Sequence, residues 1–127
     1  MKEQLQQLLN NAYAPYSNYK VAALVEMQDG QLFKGVNVEN ISYGATICAE
    51  RNAINSAVSN GYQKNDFKCL YLMNSSDQIG FPCFLCRQTF SELLNPDTDV
   101  ILYSVLGQEQ KFKVKDLVNY PFTSDLL

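Results

Sequence analysis

Apolar and polar positions follow two different periods along this chain, and each change of period marks a new element. Leu5, Leu8, Leu9 and Ala12 fall at i, i+3, i+4 and i+7, one stripe of a helix over Lys2–Ala14. Pro15 should end it, because the residue before a proline is pushed out of the helical region. Val21 to Val25 is a short continuous apolar run, which suits a strand buried on both faces. Asp29-Gly30 is a hairpin signal, and Leu32 to Val36 is the returning strand. A second helix is predicted from about Thr46 to Asn60, capped by Thr46 or Ser42 and stopped at Gly61. Ala49, Ala53 and Ala57 recur on one side of it, small enough to let it pack close to a sheet or another helix. Cys69 to Met73 reads as a strand. Pro82 belongs in the first turn of a helix running to about Leu94, where its missing N–H costs nothing. Val100–Ser104 and Gln110–Val114 complete the strands, and Lys115–Asn119 adds one helical turn.

The resulting order is helix, hairpin, helix, strand, helix, strand, strand. It predicts an α/β fold, a five-stranded mixed sheet with helices on both faces, in three layers α/β/α. Right-handed crossovers put the helices that begin near Cys48 and Cys83 on the same face, with neighbouring N-termini.

Composition narrows the function more than the fold. The 127 residues predict a single domain over 1–127. With 46% hydrophobic and 18% charged residues, the chain has the balance of a globular protein. The formal net charge of −3 and the scattered Lys and Arg residues argue against a nucleic-acid partner. Lys111, Lys113 and Lys115, the one local concentration, read as the solvent side of a strand. No apolar run of about eighteen residues is present, so no membrane partner is expected. The polar start, Met1-Lys2-Glu3-Gln4, has no signal-peptide core, and the cytoplasm is the expected compartment. Thiols stay reduced there, so spaced cysteines read as metal or catalytic groups before disulfides.

The cysteines then take over the argument. Thr46-Ile47-Cys48-Ala49-Glu50-Arg51 and Pro82-Cys83-Phe84-Leu85-Cys86-Arg87-Gln88 together offer three thiols and one carboxyl group. A structural zinc site closes with four protein ligands, whereas three ligands and an open position describe a catalytic one. Cys69 lies mid-strand among apolar residues and reads as an ordinary buried thiol, and the chain has no histidine. Cys48, Cys83 and Cys86 are therefore the expected zinc ligands. Glu50 is the expected proton carrier, close enough to act on a water in the open position. Three thiolates leave the ion weakly acidic unless something withdraws charge from sulfur. Helix N-termini can do this, and so can donation from Arg51 and Arg87. For Cys83 and Cys86 alone, the competing reading is a redox pair.

Asn37 and Glu39, two apart on extended chain, point the same way and make a natural pair for ribose hydroxyls. The plainer alternative is a loop with an Asx turn. Tyr19, Tyr43 and Phe122 are candidates for stacking on a flat base, or simply core.

These segments converge on a family. Ala14-Pro15-Tyr16-Ser17-Asn18-Tyr19, Asn37-Val38-Glu39-Asn40, Ser42-Tyr43-Gly44, Cys48-Ala49-Glu50-Arg51, Pro82-Cys83-x-x-Cys86-Arg87-Gln88 and the final Phe122 resemble, in order, the small homotetrameric cytidine deaminases of free nucleosides. The resemblance implies a cytidine deaminase-like fold and one Zn2+ per subunit on Cys48, Cys83 and Cys86, with Glu50 as proton shuttle. It implies hydrolysis of cytidine and 2′-deoxycytidine to the uridines plus ammonia, in pyrimidine salvage. It makes Asn37 and Glu39 the ribose pair, Tyr19 a base contact where the family usually has phenylalanine, and the Ala49 backbone another base contact. It places Tyr43 and Phe122 where a neighbouring subunit reaches into the site of a homotetramer. Three departures stand out: Phe84 where glycine is usual, Ala22 where a glycine is usual, and Val118-Asn119 with proline displaced to Pro121. Two other readings remain. One is an enzyme like the related blasticidin S deaminases, against which the ribose pair argues. The other is a non-catalytic zinc-stabilised binding protein, which would need a fourth protein ligand.

Overall fold

The computed structural model describes residues 1–127 and has the expected mixed sheet. Its elements are α1 (Lys2–Leu9), β1 (Val21–Met27), β2 (Leu32–Val36), α2 (Ala49–Ser59), β3 (Phe67–Asn74), α3 (Phe84–Leu93), β4 (Asp99–Tyr103), β5 (Glu109–Lys113) and α4 (Val114–Leu117). The strand order is β2-β1-β3-β4-β5. All neighbours are antiparallel except β3 and β4, which the α3 crossover makes parallel. No helix is long and apolar enough to cross a membrane.

Two cores flank the sheet. On one face, Leu5, Leu8 and Leu9 of α1 pack on Ala22, Leu24, Met73 and Tyr103. On the other, Ala49, Ala53, Ile54 and Ala57 of α2 share a cluster with Cys86 and Phe90 of α3 and with Val25 and Leu70 of the sheet. The crossovers thus set the two helices that begin at Cys48 and Cys83 side by side on one face, as expected.

The first helix is shorter than its stripe predicts. It ends at Leu9, and three i→i−3 bonds of 2.9–3.2 Å unwind it as far as Ala12. Beyond that, the Tyr13 N–H donates to the Asn37 carbonyl at 3.0 Å, and the Glu39 N–H donates to the Tyr13 carbonyl at 2.8 Å. A long-range bridge between Tyr13 and Val38 therefore claims the backbone that helical periodicity would have continued. Pro15 lies past the end and does not cause it.

The hairpin falls where Asp29-Gly30 signals it. Gly30 has φ +89°, a region that favours glycine, and Asp29 Oδ1 accepts from the Gln31 N–H at 3.0 Å. The cap of α2 differs from expectation. Cys48 itself is the N-cap residue, while Ser42 precedes a 3-10 turn over Tyr43–Ala45 and Thr46 Oγ1 accepts from Asn40. Gly61 at φ +94° follows the helix end as predicted. Pro82 likewise stands one residue outside α3, because Cys83 caps it, its sulfur accepting from the Cys86 N–H at 3.4 Å.

Helix α2 comes unusually close to β2. A methyl group at Gly35 would collide with the backbone of Ala49 and Ala53, neither of which can move without the helix. Gly35→Ala is expected to destabilise the fold by about 1–3 kcal/mol, the range for overpacking a filled core. A urea titration beside the parent protein checks this, and an unchanged midpoint would contradict it.

The lysine trio is divided between two elements. Lys111 and Lys113 on β5 meet Asp99 at 3.4 and 2.8 Å, whereas the chain turns into α4 at Val114 and Lys115 pairs there with Asp97 at 3.0 Å. Lys113 in the first place, with Lys111 behind it, holds the Asp99 carboxyl below its usual range against the opposing effect of burial. A depressed carboxyl contributes stability above its unfolded pKa of about 3.9 and loses it as pH falls through the folded value. Asp99→Asn should therefore lower stability at pH 7, with the gap to the parent closing in acid. Urea midpoints at both pH values check the sign.

Candidate active site

Two bridges bring the site together. The Val38 N–H donates to the Ile47 carbonyl at 2.9 Å and the Ile47 N–H to the Val38 carbonyl at 3.0 Å. That ladder sets Asn37 beside the start of α2. The Asn52 amide donates to the Val36 carbonyl at 2.8 Å and fixes the helix to the end of β2. Cys48 and Cys83 then cap two adjacent helices, with Cys86 one turn into the second.

The three sulfurs all lie within 4.8 Å of one another, and no fourth metal-binding side chain joins the group. Cys48 Sγ and Cys83 Sγ are 3.7 Å apart. Two thiolates on a tetrahedral zinc with bonds of about 2.3 Å stand about 3.8 Å apart, so the spacing fits that ion. The donor set fits as well, since soft thiolates select zinc over the hard cations that oxygen ligands hold. Cys69 is buried in β3, away from the trio, and burial in the first place pushes its thiol up to about 11. It is the inert thiol its sequence context predicts.

The electrostatics follow from this crowding. The Cys48 thiol is pulled down to about 5, first by a hydrogen bond from Cys86 and then by the Arg51 guanidinium, which together outweigh burial. Arg51 Nη2 stands 3.8 Å from Cys48 Sγ and 3.5 Å from the Thr46 carbonyl. Its Nε is buried without a partner, while the residue as a whole is only partly buried. Arg87 behaves differently from expectation. Its Nε donates to the Pro82 carbonyl at 2.8 Å and its Nη1 to the Leu117 carbonyl at 3.2 Å, tying α3 to α4 rather than serving sulfur. The same guanidinium lies 4.6 Å from the Phe84 ring. Phe84 is 79% exposed, so the bulky replacement for glycine stays clear of the sulfurs.

Glu50, only 5% exposed, places Oε2 3.5 Å from Cys86 Sγ. Burial raises its carboxyl above the usual range, and the Cys48 thiolate adds to the rise. A carboxyl raised in this way holds its proton more readily than an exposed one, as a group that both takes and gives a proton must.

Above these groups opens a cavity of about 180 Å³, lined by Cys48, Ala49, Glu50 and Cys83 together with Tyr19 and Asn37. The structure thus gathers eight of the eleven predicted site residues: those six, with Cys86 in the sulfur trio beneath and Arg51 beside Cys48. The Asn37 amide is engaged on the protein side, accepting from the Val21 N–H at 2.9 Å and donating to the Tyr19 carbonyl at 2.8 Å. Glu39 lies in an adjoining groove with Tyr16, Ser17 and Tyr43, and Thr46 borders both spaces. Its carboxylate accepts from the Ser17 hydroxyl and from the Tyr16 and Ser17 N–H groups, of which the hydroxyl is the strongest influence holding it below its usual range. Tyr43 and Phe122 are largely exposed and line no part of the cavity.

Other wall residues were not anticipated, notably Asn74, Gly80 and Phe81. A signal for Asn74 existed, because it ends β3 and ligands of α/β sheets gather beyond strand carboxyl ends. Gly80 and Phe81 carry no such mark beyond their nearness to Cys83. The Phe81 ring is held by an edge contact with Phe112, centroids 5.6 Å apart.

Three convergent thiols at paired helix N-termini, with a buried carboxyl beside them and a cavity above, define a zinc-dependent deaminase. Comparison with known proteins makes the assignment specific. Residues 1–102 match the model of the cytidine and deoxycytidylate deaminase zinc-binding region, and the chain belongs to that family. It is 38% identical to a cytidine deaminase of Halalkalibacterium halodurans over 94% of this chain and 89% of that one. It is 36% identical to a cytidine deaminase of Mycoplasma genitalium, over 91% and 88%. Its fold matches the crystal structure of a cytidine deaminase from Burkholderia pseudomallei with a TM-score of 0.90, at 38% identity and 94% coverage of each chain. The family is zinc-binding, and this chain carries a trio able to hold the ion.

Proposed function

We propose that the protein hydrolyses cytidine and 2′-deoxycytidine to uridine and 2′-deoxyuridine, releasing ammonia. The observation that carries this reading is the meeting of Cys48, Cys83, Cys86 and Glu50 at the floor of a single cavity. Cys48, Cys83 and Cys86 hold Zn2+, which supplies Lewis acidity that makes a water nucleophilic near neutral pH. The N-terminal dipoles of α2 and α3 and the Arg51 guanidinium draw charge from the sulfurs, so that three thiolates do not quench that acidity. Glu50 removes a proton from the water as its oxygen bonds to C4 of the cytosine ring, delivers that proton to N3, and then carries the proton of the new C4 hydroxyl to the amine as the C4–N bond breaks. One water enters, one C–N bond breaks and one ammonia leaves.

Tyr19 flanks the ring, the Ala49 backbone meets its edge, and Asn37 with Glu39 takes the ribose across the border at Thr46. Neither the cavity nor the adjoining groove is lined by Lys or Arg, while Glu39 lines the groove. That lining favours a neutral nucleoside over a phosphorylated one or a nucleic-acid strand. Tyr43 and Phe122, turned outward, serve the site of a neighbouring copy in a homotetramer. The unit is a single domain over 1–127, working in the cytoplasm in pyrimidine salvage. The test is an assay of uridine formation by the zinc-loaded protein. Turnover of either nucleoside supports the proposal, and a zinc-replete protein inert on both overturns it.

A further inference from the structure

We infer that Gly80 is a positioning residue for the cavity: by having no side chain it admits the Tyr19 hydroxyl, and so sets where the Tyr19 ring stands. The inference rests on the proposed reading only for its kinetic arm.

Gly80 is not required by backbone conformation, for its φ lies outside the left-handed region. It is required by space. A methyl group there would overlap the Tyr19 hydroxyl and would stand 2.6 Å from Asn74 Nδ2. Two side-chain tips thus occupy the volume that any other residue at 80 would fill.

Of the two, Asn74 is locked. It is 4% exposed, and its Oδ1 accepts from the Ser76 N–H at 2.8 Å. The backbone of Tyr19 is locked as well. Its N–H donates to Ser17 Oγ at 3.0 Å and its carbonyl accepts from Asn37 Nδ2 at 2.8 Å. The next residue is stitched to the segment after Asn74, the Lys20 N–H donating to Ser75 Oγ at 3.0 Å and the Ser75 N–H to the Lys20 carbonyl at 2.9 Å. What remains free is rotation of the Tyr19 side chain. Tyr19 lines the same cavity as Glu50, so displacing the ring changes the space available to the substrate.

The hydroxyl-bearing ring at 19 and the missing side chain at 80 are complementary halves of one fit. Gly80 lies in the cavity wall but touches no reacting atom, and it acts through the placement of the Tyr19 ring.

The test is a double-mutant cycle on the zinc-loaded protein with Gly80→Ala, Tyr19→Phe and the two combined. Gly80→Ala should raise the KM for cytidine about tenfold with kcat changed about twofold or less, the pattern of a displaced wall rather than a damaged proton carrier. In the Tyr19→Phe background the same change at 80 should raise KM by clearly less, because the collision with the oxygen is gone and only the one with Asn74 remains. A second readout needs no activity. Gly80→Ala should lower Tm by several degrees in the parent and by clearly less in the Tyr19→Phe background. Equal costs in both backgrounds, by KM and by Tm, overturn the inference, as does a fall in kcat at unchanged KM. Coupling in Tm from a protein that never deaminates cytidine upholds the Gly80 inference and overturns the functional proposal instead.

Discussion

Glu50→Gln is expected to reduce cytidine turnover by about 10²–10⁴, the range attached to a general acid/base, while leaving zinc content unchanged. The amide has nearly the shape of the carboxyl, so the buried slot beside Cys86 stays filled. What disappears is a group that can take a proton and give it back. Nothing nearby replaces it: the chain has no histidine, and no second carboxylate lines the cavity. Arg51 remains a fixed cation and cannot serve as a base. The loss should fall on kcat, with KM little altered, because Glu50 is asked to act in the transition state. Metal content by elemental analysis must accompany the kinetics. A variant that keeps both its zinc and at least a tenth of the parent rate would remove Glu50 from the mechanism.

Cys83→Ala should have the broadest effect of any single replacement at the site. Cys83 is one of three donors and also the cap of α3, accepting the Cys86 N–H. Two thiols cannot hold the ion as three do. The loss of affinity should exceed the 10- to 100-fold typical of losing a group that merely orients a ligand. An ion that binds the native state at about 100 times its Kd adds about 2.7 kcal/mol of stability, and that increment should vanish with it. In practice, a chelator should lower the Tm of the parent protein and leave that of Cys83→Ala unmoved. The variant should also carry no zinc through purification and show no turnover. Stoichiometric zinc in Cys83→Ala would mean that the trio is not the ligand set.

Much of this site was legible in the order of residues, and for a physical reason. The three clustered thiols and Glu50 come from two short local signals, Cys48-x-Glu50 and Cys83-x-x-Cys86, each at the start of a helix. Handedness of the crossovers then suffices to bring the two starts together. The strand Leu32–Val36 and the hairpin before it were equally local, since turn chemistry alone sets their limits. The misses share the opposite character. The early end of α1 at Leu9 depends on Tyr13 bridging Val38, a contact twenty-five positions away that no stripe of leucines encodes. Arg87 follows a metal ligand in sequence, yet it is drawn to carbonyls of Pro82 and Leu117. Asn37 and Glu39 alternate as strand neighbours should. Even so, one reaches the cavity and the other the groove beside it, because Ser17 and the turn at Tyr16 draw the carboxylate away. Gly80 was invisible for a further reason. Its role is to leave a space, and only the arrival of Tyr19 and Asn74 from elsewhere gives that space a meaning.

The most direct test is X-ray absorption at the zinc edge of the purified, active protein. Three sulfur neighbours and one lighter atom are expected, matching Cys48, Cys83 and Cys86 with a position left for water beside Glu50. Four sulfur neighbours, or fewer than three, would contradict the account at its foundation.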